Sequence, residues 1–160
     1  MKEMISLSEQ LDFYRSYHRS PACKITHFFG VPLVTFSILV PMGWLSAGIF
    51  GHRVTVAMAF LLATLGYYFL LQPALAMMMT MAMIPLAWGA DWAARLPRKE
   101  SLSVFAVSFA LGWAFQLIGH ALEGKRPALM DNFGQAVFTA PLFLMAEVLF
   151  ALGWKGPAKP

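Results

Sequence analysis

Apolar stretches long enough to cross a lipid bilayer leave few folds open to this chain. One runs from about Ile25 to Phe50 and another from about Ser101 to Glu123. About 20 consecutive apolar residues span a hydrocarbon core. Inside lipid the backbone must satisfy its own hydrogen bonds, which selects helices. Of the 160 residues, 59% are hydrophobic and 12% charged, against about 45–50% and about 25% in a soluble domain. A soluble core of this size could not bury so much apolar surface. The expected fold class is therefore all-α: a polytopic transmembrane helical bundle, with residues 1–160 forming a single integral-membrane domain.

Five spans are expected, at about 25–50, 54–72, 73–94, 101–123 and 133–154, after an amphipathic helix at 6–19. In that first helix Ser6 and Glu9 fit a capping box, and Leu7, Leu11, Tyr14 and His18 share one face. Pro21 stops it, because the residue before a proline avoids helical geometry. Residues 54–94 would make one helix of about 60 Å, twice a bilayer core, so Gln72-Pro73 is read as a tight turn between two crossings. The first thirty residues have no apolar core of a signal peptide, so the first span is its own insertion signal. The net charge of +4 suits loops near lipid headgroups rather than nucleic acid. Lys and Arg do not set the orientation. Lys2, Arg15, Arg19, Lys24, Lys125 and Arg126 fall on one side, and Arg53, Arg95, Arg98, Lys99, Lys155 and Lys159 on the other. Cys23 is the one cysteine, so no disulfide forms within the chain, and it reads as a small apolar residue.

Polar groups collect at one end of this bundle. With five crossings, His18 and His27 at the start of the first span lie on the same side as His120 and Glu123 at the end of the fourth. Ser108, Gly112, Gln116, Gly119, His120 and Glu123 form one helical stripe at spacings of three and four. Its small residues allow close packing, and its polar end resembles the wall of a site, since ionisable groups at membrane depth face the bundle interior. Histidines with a carboxylate suit non-haem Fe(II) and oxygen chemistry and equally suit zinc; spacing does not choose between them. His52, in the short Gly-His-Arg turn, reads as an interfacial residue of the opposite side. Asp91 reads as an interfacial charge beside Arg95. Glu147 faces inward on the series Gln135, Thr139, Phe143, Glu147. At about 21 Å past Phe133 it is expected deep in the membrane, pairing with another buried polar group or orienting a substrate. A small transporter or channel would need polar residues through the full depth, and VTVAMAFLLATLGYYFLL has almost none. A membrane scaffold with a structural metal is the other alternative.

Two blocks carry a resemblance. FYRSYHRSPACKITHFFGVP (13–32) holds Tyr17-His18, Pro21, His27 and Gly30-Val31-Pro32. QLIGHALEGKRPALMDN (116–132) holds Gly119-His120, Glu123, Arg126 to Leu129 and Asp131-Asn132. Together they resemble the family of the fungal 2-hydroxy fatty acid dioxygenase of the endoplasmic reticulum and its bacterial membrane relatives. The resemblance implies an Fe(II) enzyme that shortens a 2-hydroxy fatty acid by one carbon with O2. It implies His18, His27 and His120 as iron ligands, and Glu123 as a further ligand or as a group holding an imidazole tautomer. Arg19, Lys125 and Arg126 become candidates for the substrate carboxylate, with Arg19 and Arg126 grouped with Glu123 as catalytic. Tyr14, Tyr17, Gln116, Asp131 and Asn132 become candidate substrate contacts; Asp131-Asn132 would equally cap the fifth span. The compact chain without a retention signal points to a bacterial inner membrane, or to the endoplasmic reticulum in a eukaryote.

Overall fold

Capping residues and prolines divide the apolar sequence into helices. A computed structural model describes residues 7–125 and 133–154, with backbone alone over 133–136. Helix α1 is Leu7–Tyr17, α2 Pro21–Trp44, α3 Val56–Leu71, α4 Pro73–Ala94, α5 Arg98–Glu123 and α6 Phe133–Ala151; strands β1 (Ser46–Ile49) and β2 (His52–Thr55) lie between α2 and α3. The fold is all-α apart from this hairpin. Ser6 of the expected capping box lies outside the described residues. Leu7, Leu11, Tyr14 and His18, the face expected from spacing, are all buried.

The first span begins four residues earlier than expected. Ser20 accepts from the Cys23 amide and Pro21 occupies the first turn, so both start signals of a helix stand there. It also ends earlier. Residues 46–49 were expected inside the span, but they pair antiparallel with 52–55, Ile49 opposite His52. Phe50 and Gly51 both have positive φ, at 49° and 77°, the geometry of a two-residue type I′ turn. The apolar run hid this turn because Phe stands where Asn or Asp usually announces it. His52 is exposed on this hairpin, at the end away from the other histidines, as expected.

Gln72 alone separates α3 from α4, confirming the turn read from Gln72-Pro73. The two helices run antiparallel: Arg53, just before α3, pairs with Asp91 at the end of α4 at 2.5 Å. Asp91 also pairs with Arg95 at 2.7 Å, the interfacial partner expected of it. Helices α2 and α5 are antiparallel too. Trp44 Nε1 donates to Ser101 Oγ at 2.8 Å at one end, and His27 meets His120 at the other.

Among the described residues, α2, α4 and α5 are long and apolar enough to cross a membrane, while α3 and the described part of α6 are shorter. The expected count of five spans plus an amphipathic helix is therefore established only in its coarser form, a six-helix bundle with three candidate spans. At 16 residues, α3 is about 24 Å long.

The α2–α5 contact is close because glycines line it. A Cβ on Gly30 would lie 3.0 Å from the Gly112 carbonyl oxygen, and one on Gly112 would lie 2.9 Å from the Val34 nitrogen. Within lipid, helices associate by such packing and by interhelical hydrogen bonds rather than by a hydrophobic force. Gly112→Ala is expected to force the helices apart and to destabilise the protein by roughly 1–3 kcal/mol. Thermal unfolding in detergent would show this as a lowered midpoint, whereas Gly66→Ala, where a Cβ meets nothing within 4 Å, should leave the midpoint unchanged or raise it.

Candidate metal centre

Three histidines from three parts of the chain meet at the end where α2 begins and α5 ends. His18 lies in the link after α1, His27 two turns into α2, and His120 in the last turn of α5. All three are buried, at 2%, 3% and 6% exposure. Their ring centroids form a triangle with sides of 4.4, 4.8 and 5.1 Å.

The backbone sets which nitrogen of each ring faces inward. His18 Nδ1 donates to the Tyr14 carbonyl at 2.8 Å, and His27 Nδ1 donates to the Cys23 carbonyl at 2.8 Å. A carbonyl only accepts, so each Nδ1 carries the hydrogen and each Nε2 presents a bare lone pair. Such second contacts fix the tautomer in metal sites. Tyr14 also stacks on His18, rings 1° from parallel and centroids 4.9 Å apart.

His27 Nε2 and His120 Nε2 are 3.2 Å apart. Facing lone pairs repel unless a proton or a cation lies between them. Nitrogens each about 2.0–2.1 Å from one metal ion lie roughly 3.0–3.4 Å from each other, so the spacing fits a shared ion. His18 Nε2 and His120 Nδ1 are buried with no hydrogen-bond partner among the described residues, an arrangement that costs free energy unless something occupies the site. His18, Cys23, His27 and His120 offer ligand atoms all within 4.8 Å of one another. The residues present therefore fit a nitrogen-ligated divalent metal, with a thiol at hand.

Burial also keeps His18 neutral. Its pKa is pulled down to about 4 mainly by desolvation, with the nearby His120 acting the same way. The hydrogen bond to Tyr14 and the Glu123 charge oppose this without overcoming it. A neutral imidazole is the ligating form.

Glu123 is held by backbone amides. Its carboxylate accepts from the backbone amides of Arg19 at 3.0 Å and Ser20 at 2.8 Å, which ties the end of α5 to the start of α2. This is a positioning contact, since charge at a helix N-terminus satisfies amides that have no partner within the helix. Arg19 has an exposed side chain beside His18. Lys125 donates to the Ser16 carbonyl and lies 6.0 Å from the centre of the half-buried Tyr17 ring. Arg126, Asp131 and Asn132 lie outside the described residues.

Glu147 requires a correction. It was expected deep in the membrane, yet it pairs with Lys24 at 2.6 Å and Arg15 at 3.2 Å. Lys24 is in the first turn of α2, so Glu147 sits near the helix end, at the level of the histidines. The error came from measuring depth along α6 as though that helix ran straight inward from Phe133. Phe138 instead packs on Phe60 and Tyr67, and α6 carries Glu147 back toward the polar end.

Below the histidines lies a cavity of about 950 Å³, its open mouth included, lined by residues of α1, α2, α3, α4, α5 and α6. His27, His120, Tyr14 and Gln116 line it; so do Val31, Leu39, Phe60 and Trp113. Neither Arg19, Tyr17 nor Lys125 does. Sequence reasoning missed two participants. Cys23 was read as inert filler, although its place four residues before His27 puts both on one face of α2. Trp113 carried no signal beyond apolar composition, yet its indole Nε1 is buried without a partner among the described residues.

Two comparisons with known proteins point the same way. A family model described as "Mpo1-like: 2-hydroxy-palmitic acid dioxygenase Mpo1-like" matches residues 4–152. The 2-hydroxy-palmitic acid dioxygenase MPO1 of Saccharomyces cerevisiae is 32% identical over 165 residues, covering 94% of this chain and 84% of that protein. No solved structure matches the chain significantly.

The buried His18 makes the metal-free protein acid-sensitive. Its folded pKa is below the ordinary histidine value, so between about pH 6.5 and pH 4 the unfolded chain binds a proton that the native chain does not. Stability is then full above about pH 6.5 and falls as the pH drops, with a slope of up to about 1.4 kcal/mol per pH unit for this group. Unfolding of the metal-free protein in detergent between pH 7 and pH 4 should show that slope. His18→Gln should make the slope shallower, and an unchanged slope in that variant would show that His18 does not contribute.

Proposed function

Because the chain belongs to the Mpo1-like family, we propose that it is a membrane dioxygenase, Fe(II)-dependent, that removes one carbon from a 2-hydroxy fatty acid. The observation that carries this reading is that the apolar cavity opens directly onto His27 and His120, two of the groups in the candidate metal set. The overall change is balanced with O2 as the oxidant. R–CH(OH)–COOH and O2 yield R–COOH, CO2 and water; the C1–C2 bond breaks, C2 is oxidised to the new carboxyl carbon and C1 leaves as CO2.

His18, His27 and His120 would hold the metal, with Cys23 close enough to join or to shape the set. Fe(II), when bound, supplies the redox chemistry that O2 requires and open positions that suit a hydroxyl and a carboxylate. The Tyr14 and Cys23 carbonyls keep two imidazoles in the ligating tautomer. Glu123 holds the two ends of the site together through the Arg19 and Ser20 amides. Gln116 lines the cavity one helical turn before His120, placed to hydrogen-bond the substrate head. Arg19, next to His18 and exposed, is placed to meet a carboxylate arriving from the headgroup region, as arginine does well by its forked geometry. Lys125 and Tyr17 complete the proposed rim, and Arg126, Asp131 and Asn132 are proposed as further substrate contacts from the resemblance alone. The apolar walls exclude water and receive the acyl tail. In this reading α2, α4 and α5 cross the bilayer, and α3 returns the chain between them.

Purified protein loaded anaerobically with Fe(II) should consume O2 when given 2-hydroxypalmitate and release the acid one carbon shorter, detected by mass spectrometry. His120→Ala should lose at least a hundredfold of the rate together with bound iron, while His52→Ala should retain both. Iron bound without uptake would point to another substrate. Neither iron nor uptake would sink the reading in favour of a structural polar cluster.

A further inference from the structure

Helix α6 supplies none of the grouped metal-ligating residues, yet it backs the helix that delivers one of them. His18 stands one residue beyond α1, while His27 and His120 stand on α2 and α5. Glu147, on α6, is bonded to two of these three carriers at once. Its Oε1 accepts from Arg15 Nε of α1 at 3.2 Å, and its Oε2 accepts from Lys24 Nζ of α2 at 2.6 Å. Arg15 is three residues before His18, and Lys24 is three residues before His27. The Arg15 guanidinium also lies 5.2 Å from the centre of the Phe150 ring of α6. Leu142, Phe143 and Ala146 of α6 share one apolar cluster with Leu7, Leu11 and Tyr14 of α1. Seating α1 carries a cost when no ion is bound. It buries His18 and leaves His18 Nε2 without a hydrogen-bond partner among the described residues, which is unfavourable. The contacts behind α1 have to offset that cost, and Glu147 is the one that ties α1 and α2 to the same point.

We infer that Glu147 is a positioning residue of the metal centre: by clamping Arg15 and Lys24 together it seats His18 beside His27 and His120, and so raises the affinity of the site for a divalent ion. The inference rests on the metal reading above and not on the substrate, and its test lets the two fail separately. An ion that binds fully only when His18 is seated has its apparent affinity scaled by the seated fraction. By reciprocity, the bound ion holds α1 in place. The rival account is a field effect, in which the Glu147 charge attracts the cation through space. The two accounts differ in sign at Arg15. Glu147→Gln weakens metal binding in either case. Arg15→Gln removes a positive charge, so a field effect alone would tighten binding, whereas loss of the clamp weakens it.

The test titrates the metal-free full chain in detergent with Co(II), followed by the visible absorption of the bound ion. Hydrogen exchange of the α1 amides is measured with and without Co(II). Glu147→Gln and Arg15→Gln should each weaken Co(II) binding roughly tenfold, the lower end of what supporting contacts contribute in metal sites. At saturating Co(II) both variants should show the wild-type absorption spectrum, because the ligand set is unchanged. Exchange in α1 should be faster in the metal-free variants and should return to the wild-type rate once Co(II) is bound. Asp12→Asn is the control. Asp12 pairs with Arg15 at 3.1 Å within α1 and its side chain is 69% exposed, so its loss should move neither readout. Arg15→Gln leaves the Lys24–Glu147 pair in place and carries the test if Glu147→Gln does not fold. Unchanged or tighter binding in Arg15→Gln would overturn the inference and leave the metal centre standing. An equal loss in Asp12→Asn would also overturn it, since breaking a contact inside α1 would then suffice. No Co(II) binding by the wild type would remove the metal centre itself, and the role of Glu147 with it.

Discussion

Helices α2 and α5 lie so close that one methyl group at Gly112 would reach the Val34 backbone nitrogen at 2.9 Å, and the polar end of the protein is built on that approach. Farther along the same interface, a Cβ on Gly119 would come within 2.8 Å of His27 Nδ1. Only with glycine there can His120, the next residue, bring its imidazole up to that of His27, the two rings nearly perpendicular. The same antiparallel pairing delivers Glu123 to the two amides just before α2, those of Arg19 and Ser20. A packing requirement of two long apolar helices thus becomes the placement of two ring nitrogens 3.2 Å apart.

The third histidine depends on a different element. Helix α1 has 11 residues, too few to be stable by itself in water, so it must be held by tertiary contacts. Gln10 spans the gap twice, donating to the Tyr67 hydroxyl at 2.8 Å and accepting from Thr139 at 3.1 Å. Glu147 draws Arg15 and Lys24 to the same point. These ion pairs are half-buried, where breaking one partner of a pair matters more than the net strength of the pair. Docking of α1 carries Tyr14 over the histidines and His18 into them. The candidate metal set is complete only when α1 is seated, which makes this short helix the element through which local opening would disassemble the site.

Polar and apolar chemistry meet without mixing in this arrangement. Two of the imidazoles, those of His18 and His27, spend their outer nitrogens on backbone carbonyls, so their Nε2 atoms can remain bare in a dry site. Directly below, the walls are aliphatic and aromatic. A molecule with a chelating head and a long tail satisfies both regions at once, while an ion in transit would find no polar path beyond the first turns. The far end makes the same point in reverse. Its charges, Arg53, Asp91 and Arg95, are paired with one another, and the Arg53 guanidinium also binds the Gly43 carbonyl.

Apolar run length, proline positions and the single face of α1 are properties of neighbours in the chain, and they were legible in the sequence by itself. They determined a helical bundle with segments long enough to cross a membrane, a break at Gln72-Pro73, and histidines gathered with Glu123 at one end. The turn at Phe50-Gly51 was not legible, because its conformation is imposed by strand pairing and its residues look like the end of a span. Glu147 was misplaced because depth depends on how α6 crosses its neighbours, which no periodicity records. Only tertiary structure decided that Glu123 accepts from two backbone amides, that Cys23 joins the histidines, and that one cavity is lined from His27 to Leu39. Each of these depends on distances between residues far apart in the chain, set by how closely helices pack, and side-chain size at a few glycines decides that packing.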